Sequence, residues 1–184
     1  MPRSIPKSAP APKPFFPGLL ALALSLSACG GPTWNGTVYS CEAYSFRVPE
    51  TPSTWQRMEV SHAALSFRDD ENQATVAVNG RCGQDAQDAP LASLVQHLFL
   101  QFTERKIEAE EVLPFDGREA MHATLLAKLD GVPKKFDVWV LKKDGCVFDF
   151  IYLSEPDTFD RGVKEFRDFA RGFSTIRTGG PDGS

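Results

Sequence analysis

Three Asp-Gly pairs, Asp116-Gly117, Asp130-Gly131 and Asp144-Gly145, recur at an interval of 14 residues and narrow what this chain can fold into. Such pairs favour tight hairpin turns, because both central positions take up positive φ readily. Between them the sequence alternates. Met121, Ala123, Leu125, Ala127 and Leu129 interleave with His122, Thr124, Leu126 and Lys128. Phe136, Val138 and Val140 share one face of the next run, while Val147, Asp149, Ile151 and Leu153 oppose Cys146, Phe148, Phe150 and Tyr152 in the last. A period of two is the signature of a strand whose successive side chains point to opposite faces. The expectation is an antiparallel meander of four strands starting near Ile107. The segments between the pairs share no other motif, so the spacing reads as hairpin geometry and not as a repeat.

Upstream, Tyr44 to Val48 ended by Pro49, Ala64 to Arg68, and Ala74 to Val78 read as short strands, with Asp69-Asp70-Glu71-Asn72 as the turn between the last two. These suggest a hairpin beside a first strand. Pro90 then opens a segment with Leu91, Leu94, Val95, Leu98, Phe99 and Phe102 at the spacing of an amphipathic helix. A second helix follows the turn at Pro156-Asp157, with Phe159, Val163, Phe166, Ala170 and Phe173 on one stripe and Asp157 or Thr158 as its cap. Each helix has one apolar face to bury. The fold class that accommodates both is α+β, an antiparallel sheet with a C-terminal four-strand meander flanked by two amphipathic helices.

The first segment is not part of this fold. Arg3, Lys7 and Lys13 without an acidic residue precede an apolar stretch from Phe15 to Leu26 and the small residues Ser27 and Ala28, the three parts of an export signal. A spanning helix needs about 20 apolar residues, and this run is shorter, with Pro17 and Gly18 near its start. Leu26-Ser27-Ala28-Cys29 resembles the lipobox of bacterial lipoproteins. That resemblance implies cleavage before Cys29, a diacylglyceryl thioether on its sulfur and an acylated amine, and stable anchoring, because two or more acyl chains hold a protein where one does not. The alternative is an ordinary secretory signal that leaves Cys29 as an unmodified thiol. Gly30 stands where many Gram-negative lipoproteins kept at the inner membrane carry an acidic residue, which favours the periplasmic face of the outer membrane. The chain accordingly divides into a signal peptide (1–28), a lipidated tether (29–43), a single α+β domain (44–177) and a disordered tail (178–184). A tether of that length reaches at most ~3.5 Å per residue, which keeps the domain within about 50 Å of the bilayer.

Cleavage there leaves 156 residues with 17 basic and 24 acidic side chains, a formal charge of −7. Phosphate recognition depends on clustered Lys and Arg, so nucleic acid is not an expected partner. The full chain has 14 Phe residues, ample material for one core.

Candidate chemistry is sparse. Beyond Cys29 the cysteines are Cys41, Cys82 and Cys146, enough for one bridge and one leftover in an oxidising compartment. Cys41 precedes the first strand and Cys82 follows the Ala74 to Val78 strand, so antiparallel pairing of those strands would join Cys41 to Cys82, leaving Cys146 as a small buried apolar residue. A redox role would want a Cys-x-x-Cys pair, and the sequence has none. His62, His97 and His122 are isolated from one another, which argues against zinc, and His97 and His122 are expected to face solvent. Asp69-Asp70-Glu71 reads as a solvated turn, and Glu108 and Glu110 as the wet face of a strand. Of Trp34, Trp55 and Trp139, the last stands opposite the Phe136/Val138/Val140 face, on a possible partner surface unless the other helix covers it.

Tyr44-Ser45-Phe46-Arg47-Val48-Pro49, then Trp55, a helix, Gly117-Arg118-Glu119-Ala120 at a strand start, a meander and a Phe-rich last helix together resemble the PsbP-like or DcrB-like superfamily over Tyr44 to Ile176. The resemblance implies a twisted antiparallel sheet flanked by helices, and non-enzymatic accessory or assembly factors that bind other proteins, several of them lipoproteins. It supplies no functional motif to carry over. The expected function is a lipid-anchored, non-catalytic factor that binds or helps assemble an envelope protein complex, with no cofactor and no metal. The alternatives are a small-ligand carrier for lipid or glycan with an apolar pocket between sheet and helix, and a hydrolase with a dispersed site.

Overall fold

A computed structural model describes residues 31–83 and 89–176. The expectations for the signal peptide, the lipidated Cys29 and the tail from residue 178 lie outside the described residues.

The meander forms as four long strands, β7 (Thr103–Phe115), β8 (Arg118–Leu129), β9 (Val132–Lys143) and β10 (Cys146–Ser154). Each Asp-Gly pair is a complete two-residue turn, with both residues at positive φ: 45° and 72° at Asp116-Gly117, 50° and 82° at Asp130-Gly131, 50° and 75° at Asp144-Gly145. That backbone twist matches the twist of the strands it joins. The shorter strands before the meander are β1 (Thr33–Trp34), β2 (Val38–Ser40), β3 (Ser45–Arg47), β4 (Trp55–Arg57), β5 (Leu65–Asp69) and β6 (Ala74–Cys82). After helix α2 (Phe159–Arg171) comes a last strand, β11 (Ser174–Ile176).

These strands make two sheets. The larger has the order β4-β5-β6-β10-β9-β8-β7, and the smaller β1-β2-β3-β11. The expected hairpin is present as β5 and β6, but the strand beside it is β4, not the Tyr44–Val48 segment. That segment, as β3, lies between β2 and β11 in the small sheet. A three-residue strand carries no pattern that names its partner, so its place is set by what lies across the core.

The large sheet is covered on both faces. Helix α1 (Leu91–Leu98) packs Leu94 and Val95 on Met121, Ala123, Leu125, Phe136, Val138, Val140 and Val147. The expected helix ran on to Phe102, but the chain leaves it after Leu98, and Phe99 and Phe102 set their rings 5.0 Å from that of Phe136. Helix α2 and the small sheet cover the opposite face. There Phe159, Val163, Phe166, Phe169, Ala170 and Phe173 meet Phe115, Trp139, Phe148, Phe150 and Tyr152. Thr158 occupies the α2 cap position, yet its hydroxyl donates to the Glu155 carbonyl at 3.3 Å and makes no side-chain cap. The core is thus two layers, largely aliphatic under α1 and aromatic under α2, on either side of one antiparallel sheet, an α+β architecture dominated by strands.

Cys82 stands directly opposite Cys146 in the pairing of β6 with β10, and the two form a disulfide across 64 residues of chain. The expected Cys41–Cys82 pair is corrected by this. It presumed that the first strand pairs with β6, whereas β10 takes that position and brings Cys146 with it. Cys41 is a free, partly buried thiol whose Sγ donates to the Tyr44 carbonyl at 3.5 Å.

Candidate functional site

The densest polar arrangement lies beneath α2, on the face where Trp139 would offer a partner surface only if no helix covered it. Trp139 is 1% exposed, so it is no partner surface; α2 covers it. The strand ladder makes the cluster. The turn at Asp130-Gly131 sets Leu129 opposite Val132, and counting outward places Thr124 opposite Asp137 and His122 opposite Trp139. On the next strand Glu111 stands opposite His122. From above, Arg167 reaches down from α2.

At the centre is Asp137, fully buried. Its carboxylate accepts from His122 Nε2 at 3.0 and 3.1 Å, Trp139 Nε1 at 3.1 Å, Thr124 Oγ1 at 3.3 Å, and Arg167 Nε at 2.9 Å and Nη2 at 2.5 Å. The other ring nitrogen of His122, Nδ1, is 3.3 Å from Glu111 Oε1. The imidazole stacks on the Trp139 indole with ring centres 4.2 Å apart, and the Arg171 guanidinium, one turn beyond Arg167, lies 5.6 Å from the centre of that indole. Burial pushes the Asp137 carboxyl up, but hydrogen bonds and charge from His122 and Arg167 outweigh it and hold the group below the usual carboxylate range. Buried carboxylates persist when paired and fully hydrogen-bonded, as this one is. Both oxygens already have several donors, so the arrangement suits fastening α2 to the sheet better than proton transfer.

His122 therefore does not face solvent; it is 6% exposed. It does point opposite Met121, as the alternation requires, but the second face is as buried as the first. The signal that could have found this cluster was present: a two-residue turn fixes register, and the register puts His and Thr across from Trp and Asp.

The opposite face holds a second buried carboxylate. Asp149 on β10 accepts from Asn79 Nδ2 at 2.6 Å and from Arg81 Nη1 at 2.5 Å. These three line a groove of about 800 Å³ beside the end of α1, with Leu98, Phe102 and Ile151. Of the other residues singled out by sequence, His62 and His97 are exposed, Trp55 is buried, and Trp34 is half-buried. Asp69 is not solvated: it is buried and accepts from the backbone N–H and side-chain amide of Asn72 at 3.2 and 2.7 Å. Glu108 pairs with Lys135 at 3.0 Å. No group of three or more His, Cys, Asp or Glu side chains suited to a metal occurs among the described residues.

No protein-family model and no curated protein matches the chain. Solved structures do. The cyanobacterial PsbP protein CyanoP of Synechocystis sp. PCC 6803 superposes with a TM-score of 0.55 at 16% identity, over 82% of this chain and 99% of its own. A protein of Bacteroides thetaiotaomicron superposes with a TM-score of 0.54 at 12% identity, over 73% of this chain and 46% of its own. LpqN of Mycobacterium tuberculosis, described as involved in cell envelope biogenesis, gives 0.52 at 13% identity, over 72% and 83%. At these identities the likeness is one of fold, and the fold is PsbP-like.

Proposed function

We propose that this chain is a lipid-anchored protein of the bacterial envelope that binds or helps assemble an envelope protein complex, without catalysis of its own. The observation that carries this reading is Leu26-Ser27-Ala28-Cys29 behind a basic start and an apolar stretch. Two further observations support it. The PsbP-like fold is shared with LpqN, a protein tied by its description to envelope biogenesis. The most elaborate polar cluster, around Asp137, is committed to holding α2 in place. Among the described residues no helix is long and apolar enough to cross a membrane; in this reading the lipid on Cys29 supplies the attachment.

Crosslinking in the native envelope, then purification and identification of what accompanies the protein, tests this, with Cys29→Ala as control. A specific protein partner that is lost from the Cys29→Ala form is the expected outcome. A correctly lipidated and folded protein with no protein partner counts against it.

The groove beside α1 favours one second reading, a carrier of a small amphiphile, because it sets Leu98, Phe102 and Ile151 beside the Arg81–Asp149 pair. Solvent extraction of protein purified from its native source would then release a stoichiometric lipid or glycan. An empty protein removes the carrier reading.

A further inference from the structure

The sequence suggested a leash of about fifteen residues before the first strand, but the fold begins much earlier. Thr33 and Trp34 already pair with Ser40 and Tyr39 in the small sheet. Cys29 precedes Thr33 by four residues, and four residues span at most ~14 Å. A lipid on Cys29 would therefore leave the domain no room to stand away from the bilayer. Whatever surrounds β1 must lie at the membrane.

The surroundings suit that position. Pro32, Trp34, Tyr39, Arg57, Met58 and Val60 line a shallow recess of about 490 Å³ between β1 and the segment joining β4 to β5. Trp34 is half-buried, and Val60, 42% exposed, projects from that segment. The Arg57 guanidinium lies 6.0 Å from the centre of the Trp34 ring, close enough to be attracted by it, and Arg57 Nη2 donates to the Ala64 carbonyl at 3.2 Å. Glu59 is the acidic side chain on the same rim. A Trp ring with a polar edge, an apolar tip and a cation with an aliphatic stem are side chains that settle at the headgroup–acyl boundary. The opposite edge of the large sheet, β7, is six strand spacings from β4, or ~29 Å.

We propose that the surface formed by β1 and residues 58–63 is the seat of the domain on its own bilayer, with Trp34 and Val60 at the headgroup–acyl boundary and the β7 edge turned away from it. This rests on the lipid anchor at Cys29 and adds to it a fixed orientation. The anchor supplies attachment; the seat selects which face remains open to a protein partner.

The test is tryptophan fluorescence of the mature, lipidated protein in phosphatidylethanolamine–phosphatidylglycerol vesicles whose acyl chains are either plain or brominated, bromine being a contact quencher. Trp55 and Trp139 are 5% and 1% exposed, so loss of emission in brominated vesicles reports on Trp34. Quenching of the native protein, absent from Trp34→Phe, is expected. On the Trp34→Phe background, Val60→Trp restores quenching and Glu110→Trp, on the exposed β7 edge, does not. If mass spectrometry finds Cys29 acylated while the native protein is unquenched, or while Val60→Trp and Glu110→Trp behave alike, the seat is overturned and the anchor stands. If Cys29 carries no lipid, the anchor reading falls and the seat with it.

Discussion

Asp137 shows how much can depend on one carboxylate. Its partners come from β8, β9 and α2, so it ties three elements together, and Arg167 is the partner that belongs to the helix. Arg167→Leu keeps an aliphatic stem but leaves the buried Asp137 with less charge compensation; we expect a loss of about 3 kcal/mol in unfolding free energy by urea titration at neutral pH. The acid limb gives a separate check. Because the folded Asp137 binds its proton less readily than the unfolded one, its contribution is complete above the ordinary carboxylate pKa of about 4 and is lost as pH falls through the native value. The stability difference between the native chain and Asp137→Asn should accordingly be largest near neutrality and shrink below about pH 4. A difference that stays constant across that window would mean that Asp137 is not held ionised by its neighbours.

Between elements, α2 comes close to the sheet at Gly162. A Cβ placed there would stand 2.6 Å from the Tyr152 hydroxyl oxygen, closer than such contacts allow, and a tight 3.0 Å from Asn72 Nδ2. The Tyr152 hydroxyl is itself buried and makes no well-formed hydrogen bond among the described residues, Ser154 and the Gly162 backbone being its nearest polar neighbours, and burial pushes its pKa up to about 12. These facts make a coupled prediction. Gly162→Ala alone should destabilise by about 1–3 kcal/mol through overpacking, despite the better helix propensity of alanine. Tyr152→Phe removes the offending oxygen and an unsatisfied polar group, and should cost little or stabilise. In the double variant the alanine penalty should largely disappear, read as a coupling energy from thermal unfolding of the four proteins. The long strands and α2 were legible because each has a run of period-two or helical spacing bounded by a turn. Strands β1, β2, β4 and β11 were not, since two or three residues cannot display a period.

For the molecule as a whole, the disulfide sets how the two halves of the large sheet are held. Cys82–Cys146 joins the β4–β6 half to the meander, and closing a loop of 64 residues limits the unfolded chain. Cys82→Ser with Cys146→Ser should lose up to about 4 kcal/mol in the chain-entropy model. Cys41→Ser should be close to neutral by comparison, and non-reducing peptide mapping should recover Cys82 linked to Cys146. Recovery of Cys41 linked to Cys82 would mean that β6 and β10 are not paired in the register described. The PsbP-like arrangement is thus a sheet assembled from two segments, with one helix on each face and a small second sheet beside α2.

Local chemistry was enough to establish the meander, both helices and the α+β class, because Asp-Gly turns, alternation and amphipathic stripes act over a few residues and are written directly in the chain. Even the Asp137 cluster was latent there, through the register that a two-residue turn imposes. Pairings between distant segments were a different matter. That β10 and not β3 lies against β6, that α2 covers Trp139, and that the chain joins the fold at Thr33 all follow from how apolar faces are shared across the core. A strand pattern states which side chains want burial but not against which partner, and that choice is made by the competition of all buried surfaces at once.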